Sequence, residues 1–278
     1  MNKETKLTKK LYSSMVLKEW KRLEKNALHK LEFDTTIKFL KKFLPKKGFI
    51  LDAGGGPGRY TIALAKAGYN VALLDLVPEN IDYAKRKIIK TGTAKRVKQT
   101  TVGSITDLSI YKDKTFDATI CLGGPLSHVY PEKMRRKAIS ELVRVTKVGS
   151  PIFISVMSKL GTLTCCPGSP WEGEISRTKD FNRFAIKGDD YLWHHGKGYC
   201  HFFDIVELKN LVQSKKNIEI LDQVGLEGLG SSHEKEIDKM SKKPKIWKNW
   251  LKVHERFCTH PSVVDTSLHM MIIFKRIK

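Results

Sequence analysis

The sequence predicts an α/β fold with a doubly wound, mostly parallel sheet. Between residues 49 and 157 short apolar runs alternate with longer segments of helical periodicity, the pattern of parallel strands joined by crossover helices. The first apolar run leads into a glycine-rich turn that opens a helix. The predicted strands are Phe49 to Ala53, Asn70 to Asp75, Val97 to Val102, Phe116 to Leu122 and Pro151 to Met157, with helices at about 58 to 67, 78 to 91 and 131 to 146.

The glycine-rich turn indicates a nucleotide-binding site. Glycine tolerates positive φ and lets a ligand approach the backbone, and the helix behind the turn starts with unpaired N–H groups. The dinucleotide fingerprint Gly-x-Gly-x-x-Gly fails, because its sixth position would be Arg59 or Thr61. The turn instead reads Asp-x-Gly-x-Gly-x-Gly from Asp52 to Gly58. Asp75 ends the second strand, where a carboxylate can accept hydrogen bonds from both hydroxyls of a ribose.

These residues resemble motif I of the class I S-adenosylmethionine (SAM) methyltransferases, closest to the branch that includes the ubiquinone and menaquinone biosynthesis enzymes. Gly103 to Leu108 resembles the family's adenine loop, although Ser104 stands where the family often has an acid. Phe116 to His128 resembles the fourth strand and the loop that borders methyl donor and acceptor, and Arg144 to Gly149 resembles the turn into strand five. The resemblance implies SAM as cofactor, a Rossmann-like seven-stranded sheet, and the cofactor-binding residues Asp52, Gly54, Gly56, Gly58, Asp75, Leu76, Ser104, Ile105, Leu122 and Gly123.

Four regions are predicted along the chain. Residues 1–48 form an N-terminal helical extension with two helices over 8–44, the second capped by Asp34 and ended by Pro45. In the family such an extension commonly closes over the cofactor; simple packing on the sheet edge is the alternative. Residues 49–157 form the SAM-binding core. Residues 158–203, rich in glycine and aromatic residues, are predicted to be a long loop that acts as a lid over the acceptor pocket.

The last region, 204–278, is predicted to complete the core sheet. It carries a helix over Ile205 to Val212, a strand over Ile218 to Val224 and a basic helical insertion at 234–257. A stripe on that insertion is expected to pack as core; it consists of Ile246, Trp250, Leu251 and Phe257. The alternating run from residue 267 to 278 is predicted to be the final strand, the antiparallel edge strand of the sheet.

His128 is the first candidate for a catalytic base. It follows the fourth strand in the loop that borders the methyl donor, and a histidine suits proton removal near neutral pH. A hydrogen-bonded structural role is the alternative. Four lid residues are candidates for binding the acceptor, with lid packing as the alternative: Trp171, His194, His195 and His201.

Composition limits the partners. The net charge is +22, from 51 Lys/Arg against 29 Asp/Glu, and it fits either a solvated lysine-rich surface or a polyanion-binding site. Five cysteines without regular spacing indicate a reducing compartment and predict no metal site. No apolar run is long enough for a membrane span, and no signal peptide is recognised, so a cytoplasmic protein is expected.

The leading functional hypothesis is a SAM-dependent methyltransferase that acts on a small-molecule acceptor through an oxygen, nitrogen or carbon nucleophile. An RNA methyltransferase is the alternative enzyme, because the basic surface could bind nucleic acid and Thr164-Cys165 lies roughly where one cytosine-methylating family keeps a nucleophilic cysteine. A third hypothesis is a SAM-binding scaffold without catalysis, although the complete glycine turn and Asp75 argue against it.

Overall fold

A seven-stranded mixed sheet forms the centre of the molecule in the computed structural model, which describes residues 2–167, 172–176, 178–191 and 198–278. Its strand order is β3-β2-β1-β4-β5-β9-β8, and every strand runs parallel to the others except β9, which is antiparallel to both of its neighbours. A separate antiparallel pair joins β6 to β7. The strands are β1 Phe49–Ala53, β2 Asn70–Asp75, β3 Val97–Val102, β4 Ala118–Cys121, β5 Pro151–Met157, β6 Asp189–Asp190, β7 Cys200–His201, β8 Ile218–Gly225 and β9 His269–Arg276.

Helices cover the sheet and extend the chain at its N-terminus. They are α1 Lys3–Ser13, α2 Val16–Arg22, α3 Ala27–Phe43, α4 Arg59–Lys66, α5 Pro78–Lys90, α6 Glu132–Val145, α7 Lys159–Thr164, α8 Glu172–Ile175, α9 Thr178–Lys187, α10 Ile205–Gln213, α11 Glu234–Ser241, α12 Pro244–Phe257 and α13 Pro261–Thr266. Short 3-10 helices lie at Pro125–His128 and Gly228–Gly230. Within the described residues no helix is long and apolar enough to cross a membrane.

The continuous apolar strands are explained by burial on both faces of the sheet. Ile50 and Phe153 belong to one hydrophobic cluster, whereas Leu51 and Ile154 belong to the cluster on the other side. All four side chains are fully buried. Parallel strands covered by helices on both faces therefore read as apolar runs rather than as alternating patterns, and the predicted doubly wound fold is confirmed.

The N-terminal extension contains three helices, not the predicted two. The predicted cap at Asp34 is wrong, because Asp34 lies inside α3 and pairs with Lys30. Asn26 caps α3 instead, and its side chain accepts a hydrogen bond from the backbone N–H of His29. Asn and Asp are equally good N-cap residues, so residue type alone does not distinguish Asn26 from Asp34. The cap is Asn26 because the helix starts at Ala27. Helix α3 ends at Phe43, just before Pro45, as predicted.

The final strand is not at the edge of the sheet. β9 lies between β5 and β8, and β8 is the edge strand on that side. The residues from Met270 to Phe274 are fully buried on both faces, whereas most of β8 is half-exposed. Strand β4 is shorter than predicted, because Phe116 forms only an isolated bridge to Thr146.

The segment from 158 to 203 is not a long loop where the structure describes it. It contains α7, α8, α9 and the β6–β7 pair. The helical insertion at 234–257 consists of two helices, α11 and α12, which are separated by Lys242 and Lys243. The division into four functional regions stays a prediction.

Candidate cofactor and active site

A cavity of about 660 Å³ lies at the carboxyl ends of β1, β2, β3 and β4. The strand order reverses between β1 and β4, and ligands of open α/β sheets bind in the crevice at such a switch point. The loops after these four strands form one part of the wall, and α1 and α2 complete it. The N-terminal helices therefore close over the cavity rather than pack only against the sheet edge.

The glycine turn after β1 forms the floor of the cavity. Gly54 has a φ of +79°, and a Cβ there would come within 2.6 Å of the Pro125 side chain. Its N–H donates to the carbonyl of Leu74 at 2.7 Å, which holds the turn against β2. Gly56 has a φ of +55° and also lines the cavity. Both positions need glycine because of their positive φ, and the turn leaves its backbone open to a ligand.

Asp75 is held at the cavity wall by three hydrogen bonds. Its carboxylate accepts from the N–H of Gly56 at 2.8 Å, from the N–H of Val77 at 2.9 Å and from the Asn80 side chain at 3.1 Å. Burial raises the pKa of Asp75, and these donors counteract the rise. Two carboxylate oxygens offer about four lone-pair sites, and three are occupied by these donors, so acceptor capacity remains for one hydroxyl of a ribose.

Asp52 and Gly58 were predicted to bind the cofactor, but they do not line the cavity. Asp52 is fully buried beneath the turn and accepts a hydrogen bond from the Thr61 hydroxyl at 2.6 Å. Burial raises the pKa of Asp52 to about 7. Gly58 is the N-cap of α4 in the left-handed conformation. Their direct contact with a cofactor stays a prediction, while their visible role is to shape the turn.

The other predicted cofactor residues lie on the wall of the cavity. The backbone after β2 contributes Leu76, and the loop after β3 contributes Ser104 and Ile105. Ser104 shares a hydrogen bond with the Thr106 hydroxyl at 2.8 Å. The remaining two, Leu122 and Gly123, follow β4. Their individual contacts with SAM stay predictions, but the fold brings all of them to one site.

His128 lies on the cavity wall at the end of the 3-10 helix after β4. Its Nδ1 is 2.8 Å from the carbonyl oxygen of Tyr199, and its Nε2 is 2.7 Å from the Tyr12 hydroxyl. A carbonyl only accepts, so Nδ1 carries the proton in the neutral ring and Nε2 accepts from the Tyr12 O–H. Burial lowers the pKa of His128 to about 4 and raises that of Tyr12. Both groups are therefore neutral at physiological pH.

Arg22 is a cavity residue that the sequence alone did not identify. Its guanidinium forms a bidentate salt bridge with the Glu32 carboxylate, with N–O distances of 2.6 and 2.8 Å. A Cβ at position 123 would lie 3.7 Å from Nη2 of Arg22, so this cation lies beside the loop after β4. The sequence predicted only a helical extension in this part of the chain, with no site residue in it. Glu19 and Leu23 also line the cavity from this side.

A buried charged cluster continues behind Arg22. Glu32, Glu227 and His269 have ligand atoms within 4.8 Å of one another, which makes them a group that could hold a metal ion. His269 Nδ1 lies 2.6 Å from Glu227 and 3.8 Å from Glu32. Burial opposes both ionisations, but the carboxylates raise the pKa of His269, while Arg22 and His269 lower the pKa of Glu32 to about 2. The Arg22 guanidinium and the His269 ring thus both face carboxyl groups within the cluster.

Of the four predicted acceptor-binding residues, only His201 can be placed. Trp171, His194 and His195 lie outside the residues that the structure describes. His201 is buried but does not line the cavity. Its Nδ1 lies 2.9 Å from Oδ1 of Asp189, and its Nε2 lies 2.6 Å from Oε1 of Glu207. Burial lowers the pKa of His201, but these two carboxylates raise it above its ordinary value. One link between this segment and the cavity is the Tyr199 carbonyl, which accepts from His128.

Comparisons with known proteins agree with this geometry. A family model described as a methyltransferase domain matches residues 50–149. A ubiquinone/menaquinone biosynthesis C-methyltransferase of Zymomonas mobilis is 31% identical over 219 residues, which span 74% of this chain and 81% of the relative. The chain belongs to the class I SAM-dependent methyltransferases. The cofactor of this family is SAM, and the wall residues described above fit it.

Other members of the methyltransferase family are similar over a smaller part of the chain or at lower identity. A glycine/sarcosine N-methyltransferase of Aphanothece halophytica is 33% identical over 112 residues, and the match covers only 40% of either protein. A SAM-dependent methyltransferase structure from Methanosarcina mazei superposes with a TM-score of 0.56 at 20% identity, covering 86% of this chain and 97% of that one. The structural likeness concerns the fold alone.

Replacement of Asp75 by Ala is expected to weaken SAM binding by about tenfold to a hundredfold, because hydrogen bonds to a charged acceptor contribute about 1.5–3 kcal/mol each. Isothermal titration calorimetry with SAM measures the change. Asp82→Ala is the matched control, since Asp82 is exposed on α5 and does not line the cavity. Unchanged affinity in a folded Asp75→Ala protein would contradict the assignment of the ribose site.

Proposed function

We propose that this methyltransferase transfers the methyl group of SAM to a small-molecule acceptor held in the same cavity. The observation that carries this proposal is the pairing of Tyr12 with His128 on the cavity wall. One residue comes from the N-terminal helices and the other from the loop after β4. An acceptor would therefore enter a space closed by α1, and this favours a compact molecule over a polymer.

SAM supplies a methyl group already activated on a sulfonium, so the chain's main task is alignment of the acceptor. Proximity and orientation can contribute about 7–11 kcal/mol to such a displacement. Hydrogen bonds fix the orientation of the candidate groups: Tyr199 holds the His128 ring, and Glu32 holds the Arg22 guanidinium. Both groups lie on the wall beside the predicted cofactor residues.

His128 and Tyr12 form the proposed route for the acceptor's proton. An acceptor hydroxyl, amine or carbon acid must lose a proton as the new bond to carbon forms. If that proton passes to the oxygen of Tyr12, the Tyr12 O–H proton moves to Nε2 of His128, which is already within hydrogen-bond distance at 2.7 Å. The neutral ring has the lone pair that this step requires, because Nδ1 carries the ring proton.

The names of the relatives also support a small acceptor. Glycine and sarcosine appear in the name of one, and ubiquinone and menaquinone biosynthesis in that of another. The RNA alternative loses its candidate nucleophile: Cys165 does not line the cavity, its Sγ lies 3.5 Å from the Ser231 carbonyl, and burial raises its thiol pKa. A thiol with a raised pKa is a poor nucleophile.

A comparison of acceptor pools tests the substrate class. Purified protein is incubated with SAM and either a fractionated pool of small metabolites or a pool of unmodified tRNA, and S-adenosylhomocysteine is quantified by mass spectrometry. We expect at least one metabolite fraction to give a turnover rate tenfold or more above the background rate without acceptor. We expect no turnover above background with tRNA. Turnover with tRNA alone would contradict the proposal, and SAM binding without turnover on any pool would favour a scaffold.

Substitution of either member of the proton route is expected to slow the reaction without loss of SAM binding. With an identified acceptor, His128→Asn and Tyr12→Phe should each reduce kcat by about 10²- to 10⁴-fold, the range for removal of a general base. Val206→Ser is a suitable control because Val206 is exposed on α10. A kcat unchanged in both variants, with the SAM affinity of the parent, would show that the pair has only a structural role.

The pH dependence of kcat tests the protonation state of His128. Since burial lowers its pKa to about 4, the ring is already a base throughout the range from pH 5.5 to 8. We expect no inflection near 6.5, the pKa of an ordinary histidine. Initial rates at saturating SAM and acceptor give the profile. An inflection near 6.5 that disappears in His128→Asn would overturn the assignment, whereas one that persists in the variant belongs to another group.

A further inference from the structure

Helix α12 exposes an apolar strip that the fold leaves uncovered. Ile246, Val253 and Phe257 are 50%, 40% and 39% exposed. They are spaced by seven and eleven positions from Ile246, about two and three helical turns, so they lie along one line of the helix. Leu229, 43% exposed, lies in the 3-10 helix against which α12 packs. The prediction that this stripe is core is therefore wrong for Ile246 and Phe257.

The opposite part of the apolar face attaches α12 to the rest of the protein. His254 is buried, and its Nε2 lies 2.8 Å from the Thr35 hydroxyl of α3. Lys38 of α3 pairs with Glu255 at 2.9 Å. Trp250 and Leu251 are half-buried. These contacts fix the rotation of α12 and leave the strip facing outward.

A row of cations borders the exposed strip. Lys245, Lys248, Lys252 and Arg256 of α12 are all exposed. None of the three lysines pairs with a carboxylate within the described parts of the chain. By helical geometry they occupy the sector next to the strip, on the side away from His254. Exposed apolar residues with lysines alongside are the pattern of a helix that lies in the plane of a membrane surface.

We propose that α12 docks this protein on an anionic lipid surface, with the strip entering the headgroup region and the lysines contacting lipid phosphates. Charge complementarity supports this occupant: the chain carries a net charge of +22, and each lysine near an anionic surface adds to binding. The insertion that holds α12 follows β8, which is parallel to β1 and β4, so it leaves the sheet at the same edge as the cavity.

The chemistry of the strip distinguishes a bilayer from other polyanions. Single-stranded nucleic acid is bound by aromatic residues that stack on bases and by arginine. Here two of the three strip residues are aliphatic, and three of the four bordering cations are lysine, which lacks the bidentate fork of arginine. A second copy of the chain is also a poor occupant, since a twofold interface would bring the same lysines face to face.

Vesicle sedimentation of the full chain tests the proposal. We expect the protein to bind vesicles of phosphatidylcholine mixed with phosphatidylglycerol at least about tenfold more tightly than pure phosphatidylcholine, and to lose this binding as salt is raised. The double variant Ile246→Ser, Val253→Ser should bind the mixed vesicles at least about tenfold more weakly. The matched control, Ile89→Ser with Val206→Ser, changes residues that are 73% and 62% exposed on α5 and α10 and should bind like the parent.

Two double charge-reversal variants distinguish docking at α12 from a general electrostatic attraction of the protein to the vesicles. Lys248→Glu with Lys252→Glu should reduce mixed-vesicle binding at least about tenfold more than Lys90→Glu with Lys95→Glu, which makes the same change of net charge at exposed lysines elsewhere. Equal losses in the two pairs, or no binding by the parent, would overturn the proposal. It is also overturned if a single-stranded oligonucleotide binds and the strip variant loses that binding, or if light scattering shows a dimer that this variant dissociates.

Discussion

The hydrogen bonds of the Asp75 carboxylate are the interaction on which the cavity depends. One side chain joins the glycine turn, the end of β2 and the first turn of α5, because it accepts from Gly56, Val77 and Asn80. A buried carboxylate without partners would be costly, so these three donors stabilise the charged form where a ligand hydroxyl can reach it. The glycines are needed for the same reason: only with positive φ can the turn place the Gly56 N–H against the carboxylate.

Prediction from the sequence was most accurate where the structure depends on residues that are adjacent in the sequence. The bounds of β1, β2, β3 and β5 match their predicted ranges. For β1 and β2 the reason is local, because each is an apolar run that leads into an acid or a glycine. The position of β9 could not be predicted in the same way. Its place between β5 and β8 depends on strand pairing, and both inner and edge strands can alternate in sequence. The helices between residues 158 and 190 were missed because their glycines and prolines resembled a loop.

The residues of the candidate site fall into the same two groups, those predictable from local sequence and those placed only by tertiary packing. Residues that follow the parallel strands, such as Asp75, Ser104 and His128, could be placed from the sequence, because strand ends meet at one edge of the sheet. Arg22 and Tyr12 could not, since they reach the cavity only through the packing of α1 and α2. The buried charged cluster of Arg22, Glu32, Glu227 and His269 explains why this packing has one defined arrangement. Leaving Glu32 without its partner would bury an uncompensated charge, which typically costs about 3–5 kcal/mol.

The pair of Tyr12 and His128 connects the closing of the cavity with its chemistry. Helix α1 has Thr8 buried and most of its other residues half-buried, and hydrogen bonds at its two ends hold it over the cavity: Asn2 donates to the Tyr130 carbonyl at 2.7 Å, and Tyr12 donates to His128. Because burial lowers the pKa of His128 to about 4, its Nε2 stays an acceptor near neutral pH. The hydrogen bond that docks α1 is thus the same one that the proposed proton route uses, and loss of that docking would remove the route.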